Sequence, residues 1–221
     1  MWELAMKVIK EKTEILLMEY AAGALDEACA LLAASYVTVC PEARRYLREC
    51  EHFGGALVET CDPVAMHGHS LKAVLGRLDE SHASPACGEK ARYRKRPVPH
   101  PVADHMDERG HRPRWLPMTR GLRYCSLPAG NSAHAATLIH CAPGAKAPRH
   151  LHSGDELTLV LTGGYSDEFG NYKAGDLVIA GDGTAHSPVA GKSEGCACIV
   201  VTQAPVRFTG GVYAILNIFM R

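Results

Sequence analysis

The chain carries no excess of charge: 24 Lys and Arg balance 24 Asp and Glu. That removes any global electrostatic reason to bind nucleic acid or an acidic membrane surface. Its nine cysteines include no Cys-x-x-Cys pair, so no zinc ribbon can be read from them. It has no secretory leader pattern, because Met1 to Lys12 mixes Glu3, Lys7, Lys10 and Glu11 with apolar residues. It has no long apolar run either, and Ala28 to Val39 is far too short to span a bilayer. A soluble, cytoplasmic protein is expected, with no nucleic-acid or membrane partner and with thiols that act mostly as small buried hydrophobes.

What is present is a chain of 221 residues, 47% hydrophobic, enough to bury one large core or two small ones. Its 21 glycines and 13 prolines call for many turns and hence much β-structure. The first part nevertheless repeats at helical spacing. Thr13 is placed to cap a short helix carrying Ile15, Leu16 and Tyr20, with Gly23 to end it. Asp26 caps a second, with Cys29, Leu32, Ala33, Tyr36 and Val37 on one face. Pro41 opens a third, whose Leu47, Cys50, Gly54, Leu57 and Val58 would point inward. Ser70 precedes a fourth with Leu71, Val74, Leu75 and Leu78. Four short helices make a thin core, so this unit is expected to lean on a partner for stability.

Residues 81–112 read as a linker rich in Pro, His, Arg and Lys. The basic run Lys90, Arg92, Arg94, Lys95 and Arg96 is read as a solvated segment, since Tyr93 is its only interleaved aromatic. Beyond Arg114 short apolar runs take over: Leu122–Leu127, Ala135–Cys141, Leu157–Thr162, Leu177–Ala180 and Cys196–Thr202. Gly, Pro, Asn and Asp separate them, the rhythm of an antiparallel sandwich or barrel. Phe169-Gly170-Asn171 reads as a hairpin tip between Tyr165 and Tyr172.

The sharpest pattern is Gly144, five residues, His150-Leu151-His152, three residues, Glu156, six residues, Gly163. Histidines at i and i+2 on an extended strand face the same way. Glu156 shares their parity, and Gly154 permits a bend that turns the carboxylate inward. A second segment runs from Gly175 through Gly181-Asp182-Gly183-Thr184-Ala185 to His186, and the intervening hairpin returns the chain antiparallel. Three neutral imidazoles and a carboxylate form a donor set for Zn, Fe(II), Mn, Ni or Cu. One divalent metal per chain is expected on His150, His152, Glu156 and His186, zinc first, with iron, manganese or nickel as alternatives.

These two motifs resemble those of the cupin superfamily, with two departures: Gly181 stands where cupins usually have Pro, and Ala190 where they usually have Asn. Further residues carry a closer resemblance: Tyr20-Ala21-Ala22-Gly23, Phe53-Gly54-Gly55-Ala56-Leu57, Glu156-Leu157-Thr158-Leu159-Val160-Leu161 and Ala204-Pro205-Val206-Arg207-Phe208-Thr209. Together they resemble the ChrR family of cupin-containing anti-sigma factors. The resemblance implies an α+β chain. Residues 1–80 would form a small helical anti-sigma-like unit, 81–112 a linker, and 113–221 an all-β cupin (jelly-roll, or double-stranded β-helix) barrel. It implies a regulator that holds an extracytoplasmic-function sigma factor off RNA polymerase and releases it in response to oxidants, sensed through the metal-binding barrel. Cupins are often dimers, so a homodimer is expected. The family's helical unit also holds zinc through an N-terminal His and a His-x-x-x-Cys-x-x-Cys run. Here that His falls at Glu11, and the run reads Tyr36 to Ala43 with only Cys40 matching. The helical unit is therefore expected to hold no zinc, with packing of Tyr36 and Ala43 in its place.

The alternative is a metal-dependent cupin enzyme, dioxygenase or isomerase, acting on a small organic molecule. No general base or clamp stands out for it, since Arg149 points away from the face of His150 on a regular strand. A non-catalytic small-ligand binder is a third reading. Cys196 and Cys198 share a strand face and read as buried thiols before a redox pair. His140 reads as an ordinary strand residue, and His67 and His69 as loop residues. The apolar stretch from Val212 to Met220 is expected to dock on the barrel or on another subunit.

Overall fold

The computed structural model describes residues 2–79 and 99–209. The basic run at 90–96 and the apolar stretch at 212–220 lie outside the described residues. Five helices precede an antiparallel β-domain, so the chain is α+β as expected.

Helix α1 spans Trp2–Ala21, so Thr13 lies inside it instead of capping it. Good helix formers such as Leu4, Ala5, Met6 and Lys7 carry the helix back past Thr13. Gly23, at φ 67°, ends it where the Ala24 N–H donates to the Glu19 carbonyl. Asp26 caps α2 (Glu27–Val39) as expected, its carboxylate accepting from the Cys29 N–H. Pro41 opens α3 (Pro41–Glu59). Helix α4 spans Ser70–Asp79. The segment read as linker contains a further helix, α5 (His100–Glu108), which buries Val102, Ala103 and Met106.

The β-domain comprises β1 (Leu116–Thr119), β2 (Leu122–Leu127), β3 (Ala135–Cys141), β4 (His150–Leu151), β5 (Glu156–Ser166), β6 (Asn171–Lys173), β7 (Leu177–Ala180), β8 (Ala185–His186), β9 (Val189–Ala190), β10 (Cys196–Thr202) and β11 (Arg207–Phe208). The larger sheet runs β1-β2-β3-β10-β5-β6, with β7 and β9 also pairing along β5, and a smaller one runs β11-β4-β8. The hairpin at 167–170 pairs Tyr165 with Tyr172, as the sequence predicts. Gly163, at φ 64°, lies where a Cβ would collide with the Gly195 carbonyl, so the long strand β5 bends there only because the residue is glycine.

Strand alternation explains how the two halves join. Ile199 and Val201 of β10, Leu157 and Leu159 of β5, and Ala136 and Leu138 of β3 face the helices. There they share one apolar core with Leu16, Ala28, Leu31, Leu32, Ala33, Val102 and Met106. The opposite faces of β5 and β10 (Val160, Cys196, Cys198 and Val200) build the barrel interior with Tyr165 and Ala190. The helical unit therefore finds the support it needs on the outer face of the barrel's own sheet. Tyr36 packs at the edge of that core, and Ala43 is buried.

The third helix departs from expectation. Beyond Cys50, every α3 residue is exposed, including Leu57 and Val58, which were expected inside. Periodicity identifies an apolar face but not what covers it, and the one buried α3 residue, Ala43, lies in its first turn.

Candidate metal centre

Strand pairing assembles the site. His150 on β4 and His186 on β8 are direct register partners, and Phe208 of β11 pairs with His150 on the other side. His152 follows β4 and is held by exchange with the β8 segment: its N–H donates to the Thr184 carbonyl and its carbonyl accepts from the Gly183 N–H. Glu156 opens β5 between Ala180 and Thr202.

The Nε2 atom of His186 lies 3.0 Å from Nε2 of both His150 and His152. The other ring nitrogens of two of these histidines are committed. His150 Nδ1–H donates to the Pro148 carbonyl at 2.8 Å, and His186 Nδ1–H donates to Asp167 Oδ2 at 2.8 Å. Those bonds leave Nε2 of both rings as a bare lone pair directed at the other. Two lone pairs at this separation repel unless a cation lies between them. Ligands on one ion with bonds of about 2.0–2.1 Å stand roughly 3–3.4 Å apart, so the spacing fits. The three rings are all buried.

The fourth expected ligand sits differently. Glu156 is buried, but its Oε2 lies 3.4 Å from His152 Nδ1, and its Oε1 accepts from the Thr158 hydroxyl at 3.1 Å. Three imidazoles thus converge, with the carboxylate beside them against the far nitrogen of His152.

Burial sets the charge states. Desolvation, aided by the neighbouring imidazoles, pushes His150 and His152 down to about 4, so both are neutral and ready to ligate at pH 7. Burial raises Glu156 above the usual carboxylate range. Asp167 goes the other way: burial opposes ionisation, but hydrogen bonds from His186 and from the Phe169 and Gly170 N–H groups hold it below its usual value.

Asp167 is the functional residue that sequence reading missed. Its side chain is only 2% exposed, and it fixes the tautomer and orientation of His186. The hairpin tip supplies the N–H groups that keep it ionised. The available signal was an Asp at the head of a Phe-Gly-Asn turn, a position that usually serves the turn alone.

An apolar cavity of about 120 Å³ adjoins the histidines, lined in part by Met118, Ile139, Cys196, Cys198 and Phe208. Cys196 and Cys198 are buried with sulfurs 3.3 Å apart. Arg149 lies outside, paired with Glu168 at 2.7 Å, which agrees with its expected outward direction. His140 is exposed on β3, edge-on to Trp115.

Residues 109–206 match the ChrR cupin-like domain family. The chain is 36% identical over 216 residues to the anti-sigma-E factor ChrR of Cereibacter sphaeroides, covering 98% of this chain and all of that protein. The crystal structure of Rhodobacter sphaeroides SigE in complex with the anti-sigma ChrR matches with a TM-score of 0.70 and 35% identity, over 86% of this chain and 96% of that one. A donor set built on a cupin barrel, a helical unit packed against it, and likeness over nearly the whole length together place this chain in the ChrR family of cupin-containing anti-sigma factors.

Proposed function

We propose that this protein sequesters an extracytoplasmic-function sigma factor through its helical unit and responds to oxidants through a metal held in its barrel. The observation that carries this reading is an uncovered apolar surface. From Glu51 through Leu78 all residues but Ser70 are exposed, and among them Phe53, Leu57, Val58, Leu71, Val74, Leu75 and Leu78 are large and apolar. Leu71, Val74, Leu75 and Leu78 recur at helical spacing on α4, the pattern of a helix that docks in a groove of a partner. Leu16, Ala28, Leu31, Leu32 and Ala33 of α1 and α2 are packed against the barrel sheet, whereas this surface is open to another protein. The relative crystallised with SigE supports a sigma factor as that protein.

In this reading residues 1–80 bind the partner, 81–112 join the halves and 113–221 form the sensor. His150, His152, His186 and Glu156 hold one divalent ion, with zinc the first choice for a set rich in imidazole. The bound ion supplies a Lewis-acidic, oxidant-accessible centre. Asp167 holds His186 in place, and the apolar cavity admits small molecules to the histidines. A change there shifts the balance between two arrangements of barrel and helices, one with lower affinity for sigma. No helix among the described residues is long and apolar enough to cross a membrane, in keeping with a cytoplasmic role.

The direct test is purification from the native cell. A sigma factor should co-purify and should be released by oxidant treatment. Absence of any such partner under both conditions would contradict the proposal. The cavity beside the histidines also suits an enzyme, but the cation nearest them in sequence, Arg149, is committed to Glu168 on the outer face.

A further inference from the structure

The helical unit and the barrel also meet at a polar joint, between Asp26 and the loop carrying His134. Asp26 ends the turn before α2, and both of its carboxylate oxygens are used. Oδ1 accepts the Cys29 N–H at 3.0 Å, the ordinary helix cap. Oδ2 accepts from the barrel loop between β2 and β3: the Ala133 N–H at 3.1 Å, the His134 N–H at 3.2 Å and His134 Nδ1 at 2.6 Å. The Ser132 hydroxyl of the same loop accepts the Ala28 N–H at 3.4 Å. The start of α2 is therefore capped from two sides, once by its own residue and once by the barrel. The far side of that loop is not buried in protein. Ser132 to Ala135 line a cavity of about 740 Å³ together with Gln203 to Val206, and it shares Ile139, Glu156 and Phe208 with the cavity beside the histidines.

We propose that the Asp26–His134 joint reports occupancy of this cavity to the helical unit, so that a bound small molecule displaces the 132–135 loop and loosens α2 from the barrel. The lining states the class of ligand. Among the described lining residues none is Lys or Arg, so an anion has no counter-charge, and the single carboxylate, Glu156, is already engaged by Thr158 and His152. Ile139, Val206 and Phe208 offer apolar surface, while Thr137, Thr202 and Gln203 offer hydrogen bonds. The ligand is uncharged, with an apolar body and one or two hydrogen-bonding groups. Its consequence for the partner rests on the sigma-binding reading above, whereas the coupling itself is measurable without any partner.

Linkage makes the coupling reciprocal: if occupancy opens the joint, opening the joint must tighten occupancy. Asp26→Asn isolates this effect, because Asn remains a good helix cap but loses the charge that holds His134. The probe is N-phenyl-1-naphthylamine, a neutral fluorophore, titrated into the full chain in a Leu71→Ser/Leu75→Ser background that removes its attraction to α4. One saturable site is expected, abolished by Ala135→Trp, which fills the cavity, and tightened about fivefold or more by Asp26→Asn. Saturation should also speed amide hydrogen exchange over residues 28–33. Binding that ignores Ala135→Trp, or an affinity and exchange pattern unmoved by Asp26→Asn and by the probe, overturns the proposal. Coupling in this background, together with failure of the chain with Leu71 and Leu75 intact to capture a sigma factor, would leave the joint standing and reject the regulatory reading alone.

Discussion

At the scale of single residues, hydrogen bonds to the far nitrogens of His150 and His186 aim two of the three converging imidazoles. Asp167 acts on His186 alone and touches neither of the other imidazoles in any hydrogen bond described above. Asp167→Asn should therefore leave the fold intact and lower metal affinity by roughly 10–100-fold, measured by competition with a chromophoric chelator. A variant that binds metal as tightly as the parent would remove Asp167 from the site. The depressed histidines make a second prediction. His150 and His152 take up protons near 6.5 when unfolded but only at about 4 when folded. Between those values the unfolded chain binds more protons, so the metal-free protein loses stability as pH falls from about 6.5 to 4. Glu156, raised by burial, offsets part of this loss. Denaturant midpoints across that range test it, and a midpoint that rises on acidification would be contrary.

At the scale of elements, exposure and burial separate function from stability. Leu71 and Leu75 on α4 are exposed, so Leu71→Ser/Leu75→Ser should change stability by no more than about 0.5 kcal/mol per site while abolishing sigma capture. Leu32 on α2 is wholly buried between the helices and the barrel sheet, and Leu32→Ala should cost about 2–5 kcal/mol. Thermal melts and pull-down assays distinguish the two. The strands were legible because alternation and glycine punctuation are local. The runs Leu122–Leu127, Ala135–Cys141, Leu177–Ala180 and Cys196–Thr202 are β2, β3, β7 and β10 to the residue. The histidine spacing was legible for the same reason, since i and i+2 on a strand share a face. What stayed hidden depended on distant chain. Asp167 reaches His186 across nineteen residues and a hairpin. The inward face assigned to α3 is outward because nothing among the described residues buries it beyond Cys50. Helix α5 escaped notice because His100 and Pro101 open it within a segment whose composition reads as linker.

At the scale of the whole molecule, helices α1, α2 and α5 share one apolar core with the outer face of the barrel sheet. The metal-free full chain should accordingly unfold in a single calorimetric transition, and two resolved transitions would mean that the shared core contributes little. That continuity also makes the chain suited to regulation. The three histidines, the cavity beside them and the exposed apolar face of α4 belong to different elements of one chain, and α2 joins the helices to the barrel sheet. The central claim is that three imidazoles and Glu156 hold one ion, with none in the helical unit. Elemental analysis of the purified full chain, alongside His150→Ala/His186→Ala, tests it most directly. The account predicts one divalent metal per chain, lost entirely in the variant. A chain free of metal, a second equivalent, or an equivalent that survives the loss of both histidines would contradict it.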